Sequence, residues 1–188
     1  MSPKVKFSKK DIKKVALTIA LADGLKAITA RKVADELGCS VAPIYVNYES
    51  IDDLIADVVE DIFAQSNPWT KEAKGKNTFE QMGYASLSFA KQYPHLFRDL
   101  VLEPNNYMAS YNQVEEDLVA LMREDETTSL LDDDQRRRLL FQMRTFQLGL
   151  STMMANQMMP SWLSDEEAEE MMIDVGNQLL AMIQKESI

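Results

Sequence analysis

Apolar residues recur at intervals of three and four along nearly the whole chain, and this spacing most constrains what the chain can fold into. Because a helix turns once in about 3.6 residues, such spacing puts apolar side chains on one face, whereas a half-buried strand needs alternation at every second residue. Alternating segments are almost absent from the sequence. The periodicity therefore predicts an all-α fold of about nine helices.

Cap residues mark the first and fourth helices. Ser8, with Asp11 three residues later, predicts the N-terminus of the first helix, and Gly24 predicts its C-terminus. Ser50, with Asp52 and Asp53 in the first turn after it, predicts the start of the fourth helix, because negative charge is favoured near the positive end of the helix dipole. Each helix carries an apolar stripe and is expected to pack on a core.

Two short helices are predicted between these longer ones. Thr29 suits the N-cap of the segment ARKVADEL, and Gly38 suits the left-handed residue that ends it. A third helix is expected to begin at Ser40 and to run to about Tyr45. Two short helices joined by a tight turn that contains glycine, with longer helices on either side, form the helix-turn-helix arrangement.

The stretch ITARKVADELGCSVAPIYVNYESIDDLI, residues 28–55, resembles the DNA-binding module of the TetR family of bacterial transcriptional regulators, and the resemblance covers residues 8–63 approximately. The positions that match the family pattern are Thr29, Arg31, Val33, Ala34, Gly38, Ser40, Ile44, Tyr45, Tyr48 and Leu54. The sequence departs from the pattern in two places. Ile51 stands where the family commonly has a phosphate-contacting lysine, and Val41, Ala42 and Pro43 stand where many relatives have polar residues. The resemblance implies a module that binds double-stranded DNA at a palindromic operator.

The resemblance also implies which residues contact DNA: Thr29, Arg31, Lys32, Ser40, Val41, Ala42, Pro43, Tyr45, Asn47 and Tyr48. Helix N-termini at Thr29 and Ser40 would offer backbone N–H groups to phosphate, and the two cationic side chains after Thr29 would add charge. The third helix contains no lysine or arginine, so its small apolar side chains are expected to pack on thymine methyl groups in the groove.

The charge of the chain is distributed unevenly. A net charge of -10 argues against nucleic acid, but residues 1–50 hold nine Lys and Arg against five Asp and Glu, a net charge of +4, and the remainder carries -14. This asymmetry favours a basic module that meets a polyanion, joined to an acidic body. The lysines nearest the N-terminus either follow the adjacent DNA backbone or minor groove or form a solvated terminus: Lys4, Lys6, Lys9 and Lys10.

A polar stretch with Pro68 and Gly75, SNPWTKEAKGKNT at residues 66–78, predicts a linker. The expected domains are therefore a helix-turn-helix DNA-binding domain over residues 1–65 and a helical effector-binding and dimerisation domain over residues 66–188. The second domain is expected to contain helices that begin at Thr78 (with Gln81), Pro94, residue 107, about residue 134 and Ser164 (with Glu167).

For the second domain, the resemblance implies a homodimer interface made by the last two helices and a pocket for a small, largely apolar effector. Residues 134–186 have apolar seams long enough for a four-helix dimer bundle, although the same faces suit an intramolecular core. Of 12 methionines, 11 lie at or after Met82, and their flexible side chains suit either an adaptable pocket or core filling. The candidate pocket residues are Met82, Phe89, Phe97, Tyr107, Met108, Tyr111, Phe146 and Met153.

Other functional classes have little support in the sequence. The single cysteine, Cys39, excludes an internal disulfide and a cysteine-based metal cage, and the single histidine, His95, excludes a histidine-based metal site or catalytic triad. With no glycine-rich phosphate loop, signal peptide or long apolar run, we expect no enzyme, cofactor or membrane association. The sequence thus predicts a cytoplasmic transcriptional repressor, and the alternative is a helical small-molecule-binding protein without operator recognition.

Overall fold

The computed structural model describes residues 7–72, 74–107 and 111–185, with side chains described outside residues 65–72, 78–79 and 111–114. Over this part of the chain there are nine α-helices and no strand, which confirms the predicted all-helical fold. A 3-10 turn at Leu25–Ala27 and a π-helical segment at Arg98–Leu102 are also present. The α-helices are α1 (Lys9–Asp23), α2 (Ala30–Leu37), α3 (Ala42–Asn47), α4 (Ile51–Glu72), α5 (Thr78–Gln92), α6 (Pro94–Phe97), α7 (Tyr111–Glu124), α8 (Asp133–Ala155) and α9 (Asp165–Lys185).

Side-chain caps begin α1 and α2 where the sequence predicts them. The Asp11 N–H donates to Ser8 Oγ at 3.2 Å and the Ser8 N–H donates to the Asp11 carboxylate at 2.9 Å, which gives α1 a reciprocal cap. The Lys32 N–H donates to Thr29 Oγ1 at 3.1 Å at the start of α2. Gly38 ends α2 at φ 66°, a left-handed conformation that glycine adopts without steric cost.

The start of α3 differs from the prediction, because its N-cap is Val41 rather than Ser40. A serine cap needs the backbone N–H two or three residues further on, and the third residue after Ser40 is Pro43, which has none. Val41 already has helical angles (φ -68°, ψ -16°), and its carbonyl accepts from the Ile44 N–H at 3.1 Å. The helix runs to Asn47, two residues beyond its predicted end.

The chain divides into two compact units, Met1–Asn67 with Tyr93–Tyr107 and Pro68–Gln92 with Met108–Ile188. The predicted functional domains, which divide between residues 65 and 66, stay a prediction. Their bounds place Tyr93–Tyr107 in the second domain, whereas this segment belongs to the first compact unit. The predicted linker over residues 66–78 is wrong in its first half, because α4 continues to Glu72. Extending a helix costs little once it is nucleated, since each added residue also adds a hydrogen bond.

A close contact at Gly24 holds the segment Tyr93–Tyr107 to the end of α1 within the first unit. The Leu25 N–H donates to the Asp99 carboxylate at 2.7 Å. Gly24 has φ 87°, and a Cβ atom at this position would lie 2.5 Å from Asp99 Oδ2 and 3.1 Å from His95 Cβ. Glycine is therefore required here both by the backbone conformation and by the space available. Buried residues of α1–α4 and α6 form the core of this unit, among them Ile12, Ala16, Val33, Ile44, Leu54, Val58 and Leu96.

In the second unit, α8 packs against α5, α7 and α9. The buried cluster between these helices includes Leu87, Val119, Met122, Leu139, Met143, Met154 and Met172, so several of the methionines are core residues. The Ser164 and Glu167 cap predicted for the last helix is confirmed, with the Glu167 N–H 3.2 Å from Ser164 Oγ. The cap of α5 is Asn77 rather than Thr78, because Asn77 Oδ1 accepts from the Glu80 N–H at 2.8 Å. None of the described helices is both long and apolar enough to cross a membrane.

Candidate nucleic-acid interface

The short helix α3 has one buried face and one exposed apolar face. Ile44 is fully buried and anchors the helix on the core. On the opposite side Val41, Ala42, Tyr45 and Val46 are exposed, and the Val46 side chain reaches 84% exposure. Val46 was not among the predicted DNA-binding residues, although its spacing from Ala42, four residues away, places both on one helix face. An exposed apolar face of this kind can pack on methyl groups and sugar edges of a ligand.

Polar residues of this segment contribute less to the exposed face than the sequence predicts. Asn47 Nδ2 donates to the Pro43 carbonyl at 2.8 Å, so the amide is bonded to the backbone of its own helix. Ser40 is exposed but lies before the N-cap of α3, so it does not anchor phosphate as the first residue of a helix. Tyr45 remains as the exposed hydroxyl-bearing side chain of α3.

The two cations at the start of α2 differ in their surroundings. The Arg31 side chain is 90% exposed, and its contact with Asp35 is long, at 4.0 Å between nitrogen and oxygen. Lys32 Nζ instead lies 2.5 Å from the Asp23 carboxylate at the end of α1. A hydrogen bond from Lys32 lowers the pKa of Asp23, and the two opposite charges offset each other. Arg31 therefore projects positive charge outward, and Lys32 does so less.

Acidic residues of α4 partly neutralise the basic face of α1. Lys13 Nζ lies 2.8 Å from Asp61 Oδ1 and 3.2 Å from Asp57 Oδ1, and these contacts, led by the hydrogen bond to Asp61, raise the pKa of Lys13. Lys9 Nζ lies 3.2 Å from Asp57 Oδ2. The side chains line an open groove of about 590 Å³ that also includes Lys10, Lys14 and Leu17. The lysines are evident in the sequence, but their partners are not. The spacing of Asp57 and Asp61 shows only that the two acids share one face of α4.

Tyr48 lies in the interior rather than at the surface, contrary to the expected DNA contact. It is 5% exposed, and its hydroxyl donates to Asp57 Oδ2 at 2.8 Å. Burial, with the hydrogen bond to Asp57, raises the pKa of the Tyr48 hydroxyl. Burial alone would raise the pKa of Asp57, but hydrogen bonds from Tyr48, Lys13 and Lys9 outweigh it and lower that pKa. We therefore assign Tyr48 to packing, because its polar group is already bonded inside the unit.

No family model and no curated protein sequence matches this chain. The candidate interface therefore stands on its own residues and geometry. Lys4 and Lys6 of the basic N-terminus lie outside the described residues. Across the described side chains, no group of three or more His, Cys, Asp or Glu residues is placed to hold a metal ion. The surface formed by α3 and the start of α2, with its apolar face and the exposed Arg31, is the candidate site that follows from the geometry.

The candidate effector-pocket residues do not form one cluster within either unit. Phe97, which is buried, and Tyr107, which is half-buried, belong to the first unit. Met82, Phe89, Phe146 and Met153 belong to the second unit, where Phe146 packs against the buried cluster and Met153 is exposed. Met108 and the side chain of Tyr111 lie outside the described residues. The sequence allowed each residue to be assigned to a helix face, but it did not indicate that Tyr93–Tyr107 packs with the first unit.

Proposed function

We propose that this protein is a homodimeric transcriptional repressor of the TetR type, which binds a palindromic operator and is released by a small, largely apolar effector. The DNA-binding domain would comprise about residues 1–65, and residues 66–188 would provide dimerisation and effector binding. In this proposal α2 and α3 are the helix-turn-helix pair, and α3 enters the major groove.

The exposed apolar face of α3 carries this proposal. A helix of six residues that anchors itself through Ile44 and leaves Val41, Tyr45 and Val46 in water is unfavourable unless a ligand covers it. It lies directly after the left-handed turn at Gly38 and next to the exposed Arg31. Apolar side chains of this size fit thymine methyl groups, and an outward guanidinium fits phosphate.

Exposed apolar side chains on α8 and α9 support the homodimer. Phe141 is 61% exposed on α8, and Met182 is 59% exposed on α9. Gly149 of α8 is exposed, and a Cβ atom there would meet nothing within 4 Å, so the outer surface of α8 offers room for a second helix. Pairing of these faces across a two-fold axis would form a four-helix interface and set two copies of α3 one DNA turn apart, about 34–36 Å.

Selection of duplexes from a random pool, followed by titration in salt, tests the proposal. A specific complex should enrich a palindrome with thymines at the positions facing α3, and its binding constant should fall linearly in log salt with a slope of about -0.9 per phosphate contact. If the selected duplexes show no common sequence and bind no tighter than random DNA, the regulator proposal is wrong.

The ion pairs of the first unit favour a second candidate, a helical small-molecule-binding protein without operator recognition. Lys9, Lys13 and Lys32 all contact carboxylates, which reduces the positive charge available to phosphate. In this case DNA binding would be weak and independent of sequence, whereas a bound apolar compound would still raise the melting temperature of the protein. The selection experiment separates the two candidates.

A further inference from the structure

One carboxylate joins α1, α3 and α4 in the first unit. Asp57 belongs to α4 and accepts from the hydroxyl of Tyr48, the residue that ends α3, at 2.8 Å. From α1, Lys9 and Lys13 approach the two oxygens of the same carboxylate at 3.2 Å each. The C-terminal end of α3 is thereby tied through a single acidic side chain to two longer helices.

Tyr48 is held by its ring as well as by its hydroxyl. Lys9 Nζ lies 4.8 Å from the centre of the Tyr48 ring, within the range of a cation–π contact. The Asp57 side chain is 18% exposed, so water competes little for the hydrogen bond from Tyr48. Burial and the contact with Asp57 raise the pKa of the Tyr48 hydroxyl, so it is protonated and can donate to Asp57 at neutral pH. These contacts restrict how α3 can tilt or rotate on the rest of the unit.

A negative charge at this position is costly for a module that binds DNA. Asp57 opposes phosphate directly, it engages Lys9, which would otherwise be available to the DNA backbone, and it shares Lys13 with Asp61. An uncharged polar residue would free Lys9 and leave Lys13 to Asp61, but it would accept the hydrogen bond from Tyr48 more weakly than a carboxylate does. The presence of an acid at this position is therefore explained better by its hold on Tyr48 and α3 than by its electrostatic interaction with DNA.

Resting on the proposed function, we infer that Asp57 is a positioning residue: it fixes the orientation of α3 for base recognition and withholds Lys9, and together with Asp61 also Lys13, from phosphate. Its effect is to lower sequence-independent affinity for DNA and to raise the discrimination between operator and random duplex. Asp57 itself touches no base in this mechanism, since it acts through Tyr48.

The chain offers a matched control in Asp61, four residues further along α4. Asp61 shares Lys13 with Asp57, at 2.8 Å, and is likewise partly exposed. Its hydrogen bonds do not include one from Tyr48, whose hydroxyl is directed to Asp57. Removing the charge of Asp61 therefore weakens the pairing of Lys13, which keeps Asp57, without loosening α3. Tyr48→Phe loosens α3 without changing any charge.

The test compares Asp57→Asn, Tyr48→Phe and Asp61→Asn in the full chain, using the duplex selected by the wild-type protein and a random duplex. For the random duplex, the salt slope should steepen by up to about 0.9 in Asp57→Asn, because Lys9 newly reaches a phosphate while Lys13 keeps Asp61. It should steepen by less in Asp61→Asn, where Lys13 keeps Asp57, and should stay unchanged in Tyr48→Phe. The affinity ratio of selected to random duplex should fall about tenfold in Asp57→Asn and Tyr48→Phe and stay unchanged in Asp61→Asn.

Hydrogen exchange of the backbone amides of α3, measured without DNA, tests the positioning role of Asp57 separately from the proposed DNA-binding function. We expect exchange to be about tenfold faster in Asp57→Asn and Tyr48→Phe than in the wild type and unchanged in Asp61→Asn. Unchanged exchange in Asp57→Asn would overturn the inference whatever the DNA results are. Faster exchange together with an unaltered affinity ratio would overturn the role in base recognition. If exchange rises but the wild type selects no duplex, the positioning of α3 by Asp57 stands and the proposed function fails.

Discussion

Replacing Gly24 by alanine should destabilise the first unit through two separable effects. Gly24 adopts φ 87° and ψ 172°, a region open essentially to glycine, and forcing another residue into it costs about 1–3 kcal/mol. The added Cβ atom would also lie 2.5 Å from Asp99 Oδ2, so the carboxylate must move away from the Leu25 N–H. Loss of that hydrogen bond costs about 1–3 kcal/mol more. The total of about 2–6 kcal/mol is a large part of the stability of a typical domain.

The two effects can be separated by a double-mutant cycle in urea, with unfolding followed by circular dichroism. In an Asp99→Ala background the conflict with the carboxylate is gone and the close contact with His95 remains, so Gly24→Ala should cost only the backbone part and that contact. The double variant should be about 1–3 kcal/mol more stable than the sum of the single changes. Gly38→Ala is the control, because Gly38 has φ 66° but nothing within 4 Å of a Cβ atom, and it should cost about 1–2 kcal/mol. Additivity within about 0.5 kcal/mol would show that Asp99 does not crowd Gly24.

Three further predictions concern the surface of the molecule. Arg31→Ala should weaken binding to the selected duplex and reduce the salt slope by about 0.9, with dimerisation measured by light scattering unchanged; loss of the dimer would show that Arg31 has another role. Phe141→Glu should produce monomers at micromolar concentration, because it places an unpaired charge in the proposed interface, whereas Leu130→Glu, at a residue 92% exposed outside α8 and α9, should leave the dimer intact. A dimeric Phe141→Glu protein would move the interface elsewhere. Hydrogen bonds from Arg123 and Arg136 hold the pKa of Asp133 at about 2, below its ordinary 3.8, so Asp133 stabilises the fold above pH 3.8 and that contribution is lost as the pH falls through about 2. Between these pH values the free energy of unfolding should therefore depend less on pH in Asp133→Asn than in the wild type. The difference should be small because the Arg123–Asp133 pair is exposed. Identical pH dependence in the two proteins would contradict the stabilising role of Asp133.

The helices and most of their ends could be predicted from the sequence because they depend on neighbours along the chain. The caps at Ser8 and Thr29 use partners three residues away, and Gly38 needs only its own backbone freedom. Two of the predicted caps are wrong. Pro43, the third residue after Ser40, has no N–H to donate to a serine cap, and Asn77, one residue before Thr78, is the better placed acceptor.

The arrangement of the candidate interface depends on residues that are distant in the sequence. Lys13 meets Asp57 and Asp61 across 44 and 48 residues, and Leu25 meets Asp99 across 74. No pattern of spacing specifies which lysine on an exposed face will find a carboxylate, because that depends on how α1 and α4 pack. The sequence could therefore show that residues 1–50 are basic, but only the fold shows that Arg31 projects its charge outward while Lys9, Lys13 and Lys32 are paired.

The same distinction applies to the aromatic residues of α3 and its end. Tyr45 and Tyr48 are three residues apart and equally suited by composition to a surface or a core. Local patterns were enough to predict that a short helix with an apolar face follows a left-handed turn at Gly38. They could not predict that Tyr45 faces outward while Tyr48 turns inward to Asp57. A buried hydroxyl is favourable only where it finds a hydrogen-bond partner, and here that partner comes from α4, which is packed against the end of α3.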